Sequence, residues 1–182
     1  MDNQRFQTIS EALYQYGASD LNKDILKHIS IDELICVSTS TENQRAAFRA
    51  AWALEHILLS SVDLLHRYQK QIATLYITTT NWSVLRSISK LLLELHKASK
   101  KGLDLPDEDN EEKLLEKTFQ LLADTNCPIA VRCNAYDILL AFVVKHPWLA
   151  HELRIQIQFD LEKKNTPALS SRGLRILKKL KD

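Results

Sequence analysis

Four stretches of this chain repeat one arrangement: an Asn, an Arg five to seven residues later, then a helix-forming run. They are Asn43 to Arg49, Asn81 to Arg86, Asn126 to Arg132 and Asn165 to Arg172. Successive arginines lie 37, 46 and 40 residues apart, and each interval has room for two helices and two short turns. A pair of amphipathic helices cannot bury its apolar stripe alone, whereas pairs stacked in a row share one continuous core. The longest interval holds the one linker-like segment, KGLDLPDEDNEE at 101–112. Its Gly, Pro and acidic run predict an exposed loop within a single domain spanning 1–182.

Composition agrees with helices. Three Gly and four Pro among 182 residues are too few for sandwiches, barrels or hairpin-rich folds, which need turn residues every 8–12 positions or so. Three isolated glycines also cannot build the GxGxxG or GxxxxGK[ST] loops that cradle phosphates. Phe6, Ile9, Leu13 and Tyr16 predict a first helix ended by Gly17, and Ser19 is a cap for a second carrying Leu21, Ile25 and Ile29. Ser30-x-x-Glu33 and Thr41-x-x-Gln44 read as capping boxes. Further helices are expected at about 60–77, 82–100, 110–124, 128–145, 148–163 and 168–181, with Asn81 as a cap and Pro128 and Pro167 in first turns. Residues 1–40 read as a less regular N-terminal cap of three short helices. The last helix closes the other end: Leu169, Leu174, Ile176, Leu177 and Leu180 share one side, and Arg172, Arg175, Lys178 and Lys179 the other.

In the third copy, NCPIAVRCNAYDILLAF, Val131-Arg132-x-x-Ala135 resembles the opening of the second helix in HEAT repeats. Leu85-Arg86-x-x-Ser89-x-x-x-Leu93 is a looser copy, Arg49-x-x-Trp52 keeps the arginine, and TPALSSRGLRIL keeps Pro167 and Arg172. The resemblance to the HEAT/armadillo superfamily covers about residues 41–182. It implies an all-α fold, a short right-handed α-solenoid of about four helix pairs. It also implies that Arg49, Arg86, Arg132 and Arg172 are partly structural, bonding to neighbouring repeats as a ladder. HEAT repeats usually carry Asp where this chain has Asn43, Asn81, Asn126 and Asn165, which leaves the ladder without its negative partner.

Catalytic signatures are missing. The six histidines are scattered, no HExxH or GxSxG occurs, and Asp63–His66 and Glu94 with Lys90 or Lys97 read as surface pairs one helical turn apart. Cys127 and Cys133 are six apart, unlike zinc-site CxxC, and with Cys36 they read as buried or half-buried free thiols. No cofactor or metal site is expected. Trp52, amid Ala and Leu, reads as core, and Trp82 and Trp148 as packing between repeats. The start MDNQRFQTIS lacks an apolar signal core, and Ile138 to Val144 is the longest apolar run, so a cytoplasmic protein without a membrane segment is expected.

Overall charge is +1, which gives no global attraction for polyanions. Locally, Lys163 to Asp182 carries seven basic residues and one acid, and Asp104 to Glu116 seven acids and one lysine. The expected function is a non-enzymatic interaction module that binds a protein or peptide on a curved solenoid face. On the family pattern the second helix of each pair lines that face, and Arg49, Glu55, Arg86, Lys90, Glu94, Arg132, Asp137, Arg175 and Lys179 are the exposed candidates. Their mixed signs favour a polar protein segment. The alternative is nucleic-acid binding through the basic C-terminal helix; glycosylase chemistry, found in some HEAT-like proteins, lacks the basic footprint here. The sequence leaves the partner's identity and the oligomeric state open.

Overall fold

The computed structural model describes residues 1–17, 20, 21, 23–98, 108–163 and 166–180. The expected Ser19 cap, most of the 101–112 loop and Asn165, which opens the fourth copy, lie outside the described residues. The elements are α1 (Asn3–Gln15), a 3-10 turn (Lys23–Lys27), α2 (Ile31–Ser38), α3 (Gln44–Leu59), α4 (Val62–Arg67), α5 (Gln69–Thr78), α6 (Trp82–Ala98), α7 (Glu108–Ala123), α8 (Ile129–Phe142), α9 (Leu149–Lys163) and α10 (Pro167–Lys179). No strand occurs among the described residues, and the fold is all-α. The four arginines of the repeat fall in register, each within the first two turns of α3, α6, α8 or α10. By contacts the chain separates into two compact units, Met1–Leu91 and Leu92–Asp182.

In the first unit, capping chemistry sets the helix starts. Ser30 Oγ accepts from the Glu33 amide at 3.2 Å and Glu33 returns a bond to the Ser30 amide at 2.8 Å, the expected box at the head of α2. Thr41 and Gln44 form no such box. Asn43 caps α3, its Oδ1 accepting from the Ala46 amide at 3.0 Å; Gln44 is then the first helical residue and cannot reach back as a third-position partner. Asn81 caps α6 as expected, accepting from the amides of Ser83 and Val84. The run expected at 60–77 breaks at Tyr68, whose φ of −101° and ψ of 10° leave the helical well while its hydroxyl donates to Asp32 at 3.2 Å. Among the described residues a 3-10 turn, Lys23–Lys27, forms where a second helix was expected, and Leu21, Ile25 and Ile29 are buried. α2 packs along α3 as its partner helix. That contact is close because α3 turns Ala46, Ala47, Ala50, Ala51 and Ala53 inward, all buried with no accessible surface or nearly none.

Glu33 ties this unit's first helix to α2. It accepts from Arg5 Nε at 2.7 Å, and that bond, with the Ser30 amide, holds its carboxyl down at about 2, below the ordinary 4.5. A depressed folded-state pKa contributes stability above the unfolded value and loses it as pH falls through the folded one. Glu33→Gln is therefore expected to cost about 1 kcal/mol at neutral pH. The gap to wild type should close as pH falls from 4.5 toward 2, read by urea denaturation at each pH.

In the second unit α8 is the hub, packed by α7, α9 and α10 and buried on most sides, including Tyr136, Ile138, Leu139 and Phe142. Pro128 precedes α8 as its N-cap residue, and Asn126 sits in the turn before it, donating its amide to Asp124 at 2.8 Å rather than capping the helix. Pro167 opens α10 behind a Thr166 cap. α9 and α10 meet closely at Gly173: a Cβ there would lie 2.8 Å from the Ile157 methyl, so hydrogen is the only side chain this contact admits without movement. The outer face of α10 carries Arg175, Lys178 and Lys179 as expected, but it is not purely polar. Leu174 stands 60% exposed, while Arg172 and Arg175 turn toward α8 to reach Asp137.

Candidate functional site

The arginines of the repeat divide between holding the fold and facing solvent. Arg49 lies half-buried on α3 and reaches back to α1, donating Nε and Nη2 to the Leu13 carbonyl at 2.8 and 2.6 Å and Nη2 also to the Tyr16 carbonyl. These carbonyls belong to the last turn of α1, which has no intrahelical donors for them, and a cation there also suits the helix dipole. Arg132 does the same for α7, with Nη1 to the Leu122 carbonyl and Nη2 to that of Asp124, both at 2.8 Å. The repeated arginine is thus a C-cap for an earlier helix, once in each unit.

Arg132 adds a buried ion pair. Its Nη1 meets the two Asp160 oxygens at 3.0 and 2.8 Å, and Asp160 also accepts from Tyr136 Oη and from Gln156 Nε2 at 3.1 Å. Burial, reinforced by the hydrogen bond to Asp160, pushes the Tyr136 phenol well above its ordinary value. Both charged side chains are about a tenth exposed or less. Arg172 finds Asp137 in the same way, across α8 and α10, and Arg175 adds a bond to the other Asp137 oxygen at 3.1 Å. The negative partner that Asn was expected to deny the ladder is supplied from elsewhere, by Asp160 and Asp137.

The nine sequence candidates are accordingly sorted. Glu55 and Arg132 are buried, contrary to the expected exposure. Glu55 on α3 is engaged by Lys90 on α6, and Glu94 pairs with Lys97 at 2.8 Å. Arg49 and Asp137 are half-buried, and Arg86, Arg175 and Lys179 are exposed. The structure gathers Arg49, Glu55, Arg86 and Lys90 on α3 and α6 of the first unit, and Asp137, Arg175 and Lys179 on α8 and α10 of the second. Helices α8 and α10 together carry Arg132, Arg172, Arg175, Lys178 and Lys179 against the single acid Asp137. With Arg132 neutralised by Asp160, this face remains cationic.

Sequence reasoning missed the aromatic surfaces. Trp52 is half-buried on the outer side of α3, not in the core, because the alanines take the inner side. Phe48 stacks on it at 6.1 Å, His56 meets it edge-on at 5.4 Å, and the Arg49 guanidinium sits 4.9 Å from its ring. In the turn before α9, Trp148 stacks against Phe119 at 6.1 Å yet stays 54% exposed, and Ile155 and Phe159 on α9 are exposed as well. Cys127 and Cys133 are buried free thiols, whereas Cys36 is exposed. Burial raises the Cys133 thiol above its ordinary value despite the arginines nearby.

Glu111 is a buried carboxylate held by Lys145 at 2.8 Å and His146 at 2.6 Å, a tie between α7 and the turn after α8. Among the described residues no group of three or more His, Cys, Asp or Glu side chains is arranged to hold a metal ion. No described helix is long and apolar enough to cross a membrane.

Comparison with known proteins adds one positive finding. No curated protein and no solved structure matches the chain. A family model described as a HEAT repeat domain matches residues 9–180, nearly the full length. With its repeated arginines in register on the second helices of an all-α fold, the chain belongs to the HEAT repeat family.

Proposed function

We propose that the chain is a non-enzymatic interaction module whose second-helix faces hold a segment of another protein, and that α8 and α10 favour an acidic one. HEAT repeats generally serve as protein-interaction scaffolds, and the match over 9–180 supports reading 1–182 as one functional domain. The observation that carries the acidic preference is Asp137. It is the only carboxylate on two cation-rich helices, is 15% exposed, and is already engaged by Arg172 and Arg175. Arg175 keeps 54% of its side chain exposed, and Lys178 and Lys179 stand exposed one turn on. Such a row suits carboxylates presented by a flexible segment, through charge-assisted bonds of the guanidinium kind. The reading includes a cytoplasmic setting, supported by three unbridged cysteines.

Arg175→Glu with Lys179→Glu leaves the buried Arg132 network intact and reverses the exposed row. Affinity capture with mass spectrometry, wild type against this double variant, is expected to recover acidic partners that the variant loses. Duplex DNA is expected to bind weakly or not at all at about physiological salt. Submicromolar DNA binding with a steep salt slope, abolished by the same reversal, would replace the protein partner with a nucleic acid.

A further inference from the structure

We infer that the outer side of α3 is a second docking surface, specific for an acidic amphipathic segment of a partner protein. This rests on the reading of the chain as an interaction module and names what its first unit recognises. Phe48, Trp52 and His56 recur every four residues, so they stand one above another along about 12 Å of helix at 1.5 Å per residue. The contacts between Phe48, Trp52 and His56 make the row one ladder rather than three scattered rings. Phe48 leaves 36% of its surface in water, and Trp52 is covered only in part. A partly exposed Trp beside Arg is the composition of an interface anchor.

Charge complementarity fixes the occupant. Arg45 is exposed on the same side of α3, its guanidinium 4.5 Å from the Tyr14 ring, and Arg86 is exposed on α6 one turn before Lys90. The carboxylate of Glu55 is buried and engaged by Lys90, which leaves Glu42, just before the helix, and Glu11, one turn before Tyr14 on α1, as exposed acids near Arg45. A partner with apolar residues every three or four positions and Asp or Glu between them would cover the rings and meet the arginines. Stacked bases fit less well. Phe48 and Trp52 lie parallel to within 6° at 6.1 Å, and Arg49 lies over Trp52, so part of the ring surface is already taken by neighbours.

A phage-displayed library of random 16-residue peptides, panned on the intact chain, tests this without assuming a partner. Enriched peptides are expected to combine Asp or Glu with Leu, Phe or Trp at spacings of three or four. Synthesised with a fluorescein label, they should bind Trp52→Ala at least tenfold more weakly by anisotropy, and Arg45→Glu severalfold more weakly. Arg45 is exposed, so its variant keeps the test valid if Trp52→Ala fails to fold. Lack of enrichment, basic or neutral consensus sequences, or unchanged affinity in both variants overturns the inference. So does equal competition by a 16-residue oligo-dT strand, which would indicate single-stranded nucleic acid. Peptides lost to the Arg175→Glu, Lys179→Glu variant but indifferent to Trp52→Ala would sink this surface and leave the interaction module standing. Indifference to all three variants would sink both.

Discussion

Arg132→Ala is expected to destabilise the second unit by about 3–5 kcal/mol, the cost of leaving one member of a buried ion pair without the other. Three losses fall together. Asp160 keeps Tyr136 and Gln156 as donors but loses its cation, and the Leu122 and Asp124 carbonyls lose the guanidinium that closes the end of α7. Tyr136→Phe removes one neutral donor and should cost about 1 kcal/mol. Replacing Arg132 and Asp160 together by Met and Leu should recover only part of the single-variant loss: the desolvation cost of both charges disappears, but the Leu122 and Asp124 carbonyls and the Tyr136 hydroxyl stay without those partners. Urea denaturation of the four proteins measures each step. A single-variant cost under about 1 kcal/mol would mean that solvent reaches the pair in the folded state.

Arg49→Ala is expected to cost about 2 kcal/mol, in the range for hydrogen bonds from a charged donor, and to act locally. The guanidinium bonds two carbonyls of one helix end, so its removal should loosen α1 before the rest of the unit. Hydrogen exchange followed by mass spectrometry would register this as faster exchange in peptides covering Asn3–Gln15, with those of α3 little changed. Arg49→Lys should rescue only part, because an ammonium cannot reproduce the planar fork that serves Leu13 and Tyr16 together. Uniform acceleration across the unit would make Arg49 a global rather than a local tie.

Much of the helical order is legible in the sequence because its signals are local. Ser30 with Glu33 and Asn81 with the amides after it act over two or three residues, and the structure uses them as read. The partners of the arginines were not legible. Asp160 lies 28 residues from Arg132, and Asp137 lies 35 from Arg172, so only the packing of α8 against α9 and α10 brings them together. Hence Arg132 looked like an exposed candidate and proved to be buried.

Trp52 failed for another reason. Its Ala-rich surroundings suggested a core position, but the alanines themselves form the buried side, because small residues let α2 approach. The four-residue spacing of Phe48, Trp52 and His56 was visible throughout; without knowing which side of α3 faced inward, it could not be assigned to solvent. Leu174 was misplaced likewise, since the arginines thought to form the outer side of α10 are drawn to Asp137.

The placement of the indole rings gives each half of the chain its own optical reporter. Trp52 and Trp82 belong to the first unit and Trp148 to the second, and all three keep some contact with water. With Trp82 and either Trp148 or Trp52 changed to Phe, the one indole left would report on residues 1–91 alone or on 92–182 alone. Melting of either half could then be followed in the full-length chain, without cutting it.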